Sequence, residues 1–496
     1  MSTLAATQIS LPNGKTYAQP TGLFINNEFV AGSDAKIDTI DPYTGKVICA
    51  MEAASAADID VAVAAAEKAK RGWRDTLPAQ RAALLNKMAD LIERDADIIA
   101  AIDSTDNGKA FTMARHVDLV GAISCFRFYA GYADKIHGQT MELGRDMHGY
   151  TKREPYGVCG QIIPWNFPFL MWAWKVAPAL ATGNVIVLKS AEQTPLSCAY
   201  GASLIKEAGF PPGVANFVTG LGKTTGVAIA THMKIRKVAF TGSTLVGRQI
   251  MKMAAESNLK KVSLELGGKS PHIIFADADF DKAVETVANG IYFNQGQVCV
   301  AGSRAFVEAP IYDKFLEALK ARTAQVKSGN PFDPTTYHGP QVSAIQCERI
   351  NALIEGGVKA GAKVVAGGGK HELGGLFISP TVFSDVTGTS PLQNEIFGPV
   401  LVISPFKTIE EVVAIANDTE YGLASGLHTS SIDTALRMAD ELEAGTVWIN
   451  HYGGASPQLP FGGYKQSGIG RENGDAVIGE YTQIKTVSIA RNNNKK

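Results

Sequence analysis

From Gly183 onward the chain repeats one pattern: a short apolar run, a few turn residues, then apolar side chains at helical spacing. The runs are Val185–Leu188, Phe217–Val218, Lys237–Phe240 and Lys261–Leu264. The stretch from Pro195 to Ala208 reads as a helix stopped by Gly209, with Pro211 and Pro212 beyond it. Short strands alternating with helices of about 10–15 residues predict βαβ units around a parallel sheet. The alternation resumes after Pro271, with strands at 272–275 and 305–307 and helices at 280–293 and 312–326. The fold class is therefore α/β, with a second α/β domain after the first. A chain of 496 residues is too long for one hydrophobic core, so more than one domain is expected.

Before Gly183, residues 57–72, 78–103 and 113–136 carry helical spacing. The polar segment 138–153, with Gly144 near its middle, reads as a protruding hairpin. The most apolar run, Pro168 to Leu188, is broken by Lys175, Pro178 and Gly183. It reads as a buried helix followed by a strand, not a membrane span.

A net charge of −1 gives no electrostatic reason to expect nucleic acid or an acidic membrane as partner. The six cysteines form no C-x-x-C pair, and the nine histidines show no metal-ligand spacing. Sparse thiols without a disulfide framework predict a reduced, cytoplasmic protein without metal. The N-terminus lacks a charged segment followed by a long apolar one, and the first arginine is Arg71, which argues against a targeting peptide.

Two segments carry chemistry. Phe293–Arg304 holds a lone cysteine, Cys299, among glycines and small residues; Leu264–Pro271 holds a lone carboxylate, Glu265, before Gly267-Gly268. A thiolate attacks carbonyl carbon well, and a carboxylate in apolar surroundings makes a general base. Each alone has a plainer reading, since single cysteines are more often small buried residues. Nucleotide signals accompany them. Gly220–Gly226 approximates G-x-G-x-x-G with its third glycine one place late. Lys189 and Glu192 lie past the carboxyl end of a strand, where an acid accepts ribose hydroxyls. Ser243, after Phe240-Thr241-Gly242, is placed to cap a helix whose N-terminus would hold a phosphate.

Pro164–Pro168, Lys189-x-x-Glu192, Phe240–Ser243, Leu264–Lys269, Gly296–Cys299, Glu395–Pro399 and Pro460–Lys465 occur in the order seen in NAD(P)-dependent aldehyde dehydrogenases. The chain resembles the non-acylating group that includes acetaldehyde and retinal dehydrogenases, and its opening is similar to fungal members. The resemblance spans roughly residues 20–490.

It implies a Rossmann-like cofactor domain (1–137 and 154–267), a catalytic domain (268–467) and an oligomerisation element (138–153 and 480–496), assembled as a homotetramer, a dimer of dimers. It implies Cys299 as nucleophile, Asn166 and the Cys299 backbone N–H as oxyanion hole, Glu265 as deacylating base, and Lys175 and Glu472 as a proton relay behind it. It implies an NAD site made by Ile162, Ile163, Pro164, Trp165, Lys189, Glu192, Gly222, Gly226, Phe240, Thr241, Gly242, Ser243, Val246, Leu266, Gly267, Gln346, Arg349, Glu395 and Phe397. The aldehyde tunnel would be lined by Val117, Gly121, Phe167, Leu170, Met171, Trp174, Phe293, Val298, Gly453, Ala455 and Phe461. Gly121, Gly453 and Ala455 match positions that are bulkier in acetaldehyde-type members, so bulky aliphatic or aromatic aldehydes are expected.

Rival readings meet specific residues. A CoA-acylating relative would lack the deacylating carboxylate, which is present as Glu265. A cysteine hydrolase would need a histidine near these motifs, and none lies there. A non-enzymatic relative would be expected to lose Cys299 or the nucleotide residues, and all are kept.

Overall fold

The computed structural model describes residues 4–491. Among these residues the alternation from Gly183 onward becomes the heart of an eight-stranded sheet. Its strand order is Gly468–Ile469, Lys261–Glu265, Lys237–Thr241, Val158–Ile162, Val185–Lys189, Ala215–Val218, Leu23–Ile25 and Glu28–Val30. The five central strands are parallel, and register aligns their carboxyl ends: Ile162 lies beside Lys189, Lys189 beside Val218, Phe240 beside Ile162, and Thr241 beside Glu265. The chain leaves Val158–Ile162 toward one side of the sheet and returns on the other with Lys237–Thr241. The crevice beyond those two strand ends is where open α/β sheets bind ligands.

The central strands are apolar on both faces because helices cover both. Pro168–Ala181 is the most apolar of these helices, and its Trp172 packs against Phe126, Phe169 and Phe217 at centroid distances of 5.6, 5.1 and 5.5 Å. The Pro168–Leu188 run is thus a buried helix plus strand, as its interruptions required. No helix among the described residues is long and apolar enough to cross a membrane.

A second sheet of seven strands follows, in the order Lys363–Ala366, Thr381–Ser384, Val400–Phe406, Arg304–Glu308, Pro271–Ile274, Ala424–His428 and Thr446–Ile449. Only the connection 266–270 separates Lys261–Glu265 of the first sheet from Pro271–Ile274 of the second. The carboxyl edge of one sheet therefore faces the amino edge of the other. A three-stranded sheet stands apart: Thr482–Ala490 pairs along Met147–Pro155, which turns back onto Thr140–Met141. The expected hairpin is there, with Gly144 in its turn at φ +83°. Residues 1–3 of the first expected segment and 492–496 of the last lie outside the described residues.

Several expectations need correction. The helix read over 78–103 is two, Pro78–Arg94 and Ala96–Asn107, broken where Asp95 turns to bind Arg94 and the Tyr200 hydroxyl. The helix read over 113–136 carries a π-helical turn at Ala114–Asp118 and stops at Tyr132. The expected helix over 312–326 ends at Thr323.

Candidate active site

The nucleophile segment begins where the helix Phe280–Tyr292 stops. Asn294, Gln295 and Gly296 follow in left-handed conformation, with φ of 48°, 58° and 70°. Such runs are costly for side-chain-bearing residues and persist where the surroundings fix them. Here the surroundings are explicit. Asn294 Nδ2 donates to the Asn166 carbonyl at 3.0 Å, and Asn166 Nδ2 donates to the Gln297 carbonyl at 2.9 Å. A Cβ at Gly296 would stand 2.2 Å from Gly398, so this crossing admits only glycine. A Cβ at Gly268 would stand 2.4 Å from the Cys299 carbonyl oxygen. The segment carrying Cys299 is thus pressed between the Leu266–Ser270 connection and the loop before Val400.

Glu265 ends its strand, buried, with one carboxylate oxygen lacking any partner. Burial first, then the nearby Glu472, pushes its carboxyl well above the usual range, against the pull of Lys175 and Arg471. Lys175, from the apolar helix, and Glu472 form a fully buried ion pair. Lys175 Nζ also donates to Thr241 Oγ1 at 2.8 Å. Cys299 is partly exposed on a cavity wall. Enclosure, then Glu265 and Glu395, pushes its thiol up to about 12.

One cavity of about 830 Å³ joins these groups. Asn166, Glu265, Cys299 and Glu472 line it. The lining also includes Pro164, Trp165, Thr241, Gly242, Ser243, Leu266, Gly267, Gln346, Arg349, Glu395 and Phe397. Ser243 Oγ accepts from the Val246 N–H at 3.3 Å and caps the helix Thr244–Ser257, so that helix points its positive end toward the crevice. Glu395 accepts from the Gly268 N–H at 3.1 Å, and its carboxylate lies 2.5 Å from where a Cβ of Gly267 would be. Arg349 and Gln346 hold the same loop by donating to the Glu395 and Phe397 carbonyls at 2.9 and 2.8 Å. Phe397, at φ +59°, sets its ring edge-on to Trp165 at 5.3 Å.

Ile162, Ile163, Lys189, Glu192, Gly222, Gly226, Phe240 and Val246 are outside the cavity wall but beside the same carboxyl edge. Lys189 is buried and donates to Glu192 at 3.1 Å; burial draws its ammonium down and Glu192 opposes that. Gly222–Gly226 is a single π-helical turn with open space around both glycines. The donor set fits a dinucleotide: acid and base for a ribose, a capped helix N-terminus for phosphate, and a second carboxylate deeper in.

A further part of the lining is apolar. Val117, Phe167, Leu170, Met171, Trp174, Phe293, Val298, Gly453, Ala455 and Phe461 line it. Phe167 and Phe293 stack at 6.1 Å, and Trp174 meets Phe461 edge-on at 5.4 Å. Gly121 departs from the expectation. It stands behind Leu170, and a Cβ there would lie 2.9 Å from Leu170 Cδ1. Lacking a side chain, it shapes the wall only through Leu170. Trp448, Tyr452, Asn289 and Tyr337 also line the cavity and were not expected from sequence. They come from separate segments and carry no local motif.

Residues 29–487 match the Aldehyde dehydrogenase family. An aldehyde dehydrogenase of Alternaria alternata is 56% identical over 489 residues, 98% of each chain. The mitochondrial aldehyde dehydrogenase of Homo sapiens is 52% identical, covering 98% of this chain and 95% of its own. Among solved structures, the NAD+ complex of aldehyde dehydrogenase from Bacillus cereus superposes with a TM-score of 0.94 at 46% identity, over 98% of this chain and 100% of that one. An indole-3-acetaldehyde dehydrogenase of P. syringae, in complex with NAD+ and IAA, gives 0.94 at 40% identity, over 96% and 97%.

The raised thiol has a direct test. In enzyme free of cofactor the thiolate is scarce, and its fraction rises about tenfold per pH unit below the thiol pKa. Iodoacetamide labelling of Cys299, followed by peptide mass spectrometry, should therefore accelerate about tenfold per unit from about pH 7 to 9. A rate that levels off near pH 8 would mean that the cavity holds the thiolate unaided.

Proposed function

The chain belongs to the aldehyde dehydrogenase family and is an NAD-dependent oxidoreductase; from that premise we propose that it oxidises bulky aliphatic or aromatic aldehydes to carboxylic acids through a thioester on Cys299. The observation that carries this is that Cys299, Asn166 and Glu265 line one cavity together with residues suited to a nucleotide and with a set of apolar side chains.

Cys299 gives its proton to solvent, and the thiolate Sγ attacks the aldehyde carbon. The developing oxyanion lies between the Cys299 backbone N–H and the Asn166 amide, whose second N–H is free after the bond to Gln297. Donors of this kind contribute roughly 3–4 kcal/mol each. Bound NAD+ supplies the acceptor for the hydride that departs as the thioester forms. Glu265 then takes a proton from water, and the hydroxide equivalent cleaves the thioester. The raised carboxyl pKa makes Glu265 a competent base, since a carboxylate at its usual value accepts protons poorly near neutrality. Glu472 and Lys175 pass the proton onward behind it. Lys189, Glu192 and Ser243 hold the adenosine half of the cofactor, while Glu395 and Phe397 hold the nicotinamide half.

The chain works in the cytoplasm as a homotetramer. Its sparse, unpaired cysteines support the location. The edge strand Thr482–Ala490, which leaves Ile484 exposed, supports pairing with a second copy. The division into cofactor (1–137 and 154–267), catalytic (268–467) and oligomerisation (138–153 and 480–496) parts is supported by the separate eight-, seven- and three-stranded sheets.

Cys299→Ala should abolish NADH production while NAD+ still binds. Glu265→Gln should release one burst of NADH and then stall, because acylation proceeds while hydrolysis lacks its base. Stopped-flow absorbance reads both; turnover by Cys299→Ala, or steady turnover without a stall in Glu265→Gln, contradicts the mechanism.

NAD+ should be preferred over NADP+ by at least about tenfold, or about 1.4 kcal/mol. Glu192 accepts ribose hydroxyls but repels a 2′-phosphate. Comparing kcat/KM for both cofactors in the wild type and in Glu192→Gln tests this, and a wild-type preference for NADP+ refutes it.

Each methylene buried in the apolar tunnel contributes about 0.8 kcal/mol, or roughly fourfold in affinity. KM should fall from acetaldehyde through butanal to hexanal and aryl-acetaldehydes. Gly121→Met should flatten the series by driving Leu170 into the tunnel. If acetaldehyde has the highest kcat/KM and Gly121→Met leaves the ranking intact, the substrate reading fails while the enzyme class stands.

A further inference from the structure

From the cavity wall, where Trp448 and Tyr452 stand, a column of four aromatic rings runs into the interior. Trp448 packs against Tyr452 at 4.9 Å, Tyr452 stacks on His272 at 4.4 Å, and His272 stacks on His428 at 5.1 Å. The two histidines are fully buried. Neither ring nitrogen of His272 has a hydrogen-bond partner, and neither does Nε2 of His428. Burial keeps both imidazoles neutral, drawing His428 down to about 4. They act as flat, uncharged discs that set the height of the Tyr452 ring.

Three glycines clasp that ring. A Cβ on Gly426 would stand 2.3 Å from Tyr452 Cδ2, one on Gly290 3.1 Å from Cδ1, and one on Gly302 3.1 Å from Cζ. The clasp joins the second sheet, the helix before the nucleophile and the segment after it. Gly302 N–H also donates to the Gly290 carbonyl at 3.0 Å, closing the pocket beneath the ring. At the far end, the Tyr452 hydroxyl donates to the Val300 carbonyl at 2.8 Å. Val300 follows Cys299 directly, and the Cys299 carbonyl already abuts Gly268.

We propose that Tyr452 is a positioning residue for the nucleophile: seated on the His272–His428 stack, its hydroxyl fixes the Val300 carbonyl and so the placement of Cys299 and its backbone N–H. This rests on Cys299 being the nucleophile. Without the hydroxyl, a half-buried carbonyl loses its donor, and the segment is free to shift by a few tenths of an ångström. Acyl transfer is sensitive to displacements of that order.

The test uses Tyr452→Phe, Gly302→Ala and the double variant, with Cys299→Ala alongside. Tyr452→Phe keeps the stack and removes only the hydroxyl. Gly302→Ala keeps the hydroxyl and presses on the ring that carries it. Activity is expressed per site counted by the NADH burst, so unfolded protein does not enter.

Each single variant should lower kcat about tenfold, because misplaced reacting groups lose rate steeply. NAD+ affinity and aldehyde KM should stay within about twofold, since neither ground-state contact is touched. The iodoacetamide labelling rate of Cys299 should change by about threefold or more, because the thiol's immediate backbone has moved. The double variant should lose little beyond Tyr452→Phe, since both changes act through one hydroxyl.

Wild-type kcat and labelling rate in Tyr452→Phe overturn the proposal, as do multiplicative losses in the double variant or a kcat loss with labelling unchanged. Should Tyr452→Phe fail to fold, wild-type kcat and labelling in Gly302→Ala overturn it. Activity retained by Cys299→Ala instead overturns the assignment of the nucleophile on which the proposal rests.

Discussion

A lysine and a glutamate sealed from water set the terms for the chemistry around them. Lys175 comes from the most apolar helix of the chain, and Glu472 from the segment that returns to the first sheet after the second is complete. Neither would survive alone, because a buried charge without its partner costs several kcal/mol. The pair therefore fixes the returning segment against the first sheet. Burial acts first on Glu265, one strand away from Thr241, a further partner of Lys175; of the pair's two charges, Glu472 raises its carboxyl further and Lys175 opposes.

Four strands of the first sheet were legible because buried parallel strands write themselves as continuous apolar runs, as Val185–Lys189 and Lys237–Thr241 do, whereas Val158–Ile162, interrupted by Gly160 and Gln161, was not read. The strands before residue 57 were not. Thr7–Ser10, Thr16–Gln19 and Asp34–Ile40 are short and mostly exposed, so they lack an apolar signature. The break at Asp95 was hidden for another reason: Tyr200, which helps to hold Asp95, is 105 residues away.

Within the site, residue types announced themselves but pairings did not. Cys299 and Glu265 stand out in their own segments, and the family resemblance supplied partners for them. Nothing local joins Lys175 to Glu472, 297 residues apart, or seats Tyr452 on His272 and His428. Gly121 shows the opposite error. A glycine at a tunnel position invites the reading of empty space, whereas the space belongs to Leu170. Burial and register are properties of the assembled sheets, and they decide such cases.

The crossing of Gly296 over Gly398 ties two loops back to back. One carries Cys299, and the other carries Glu395 and Phe397, whose carbonyls are gripped by Arg349 and Gln346. With no side chain between them to absorb motion, the two loops work as a rigid yoke. On the roles proposed above, a change that loosens the Glu395–Phe397 arm would reach Cys299 through this crossing.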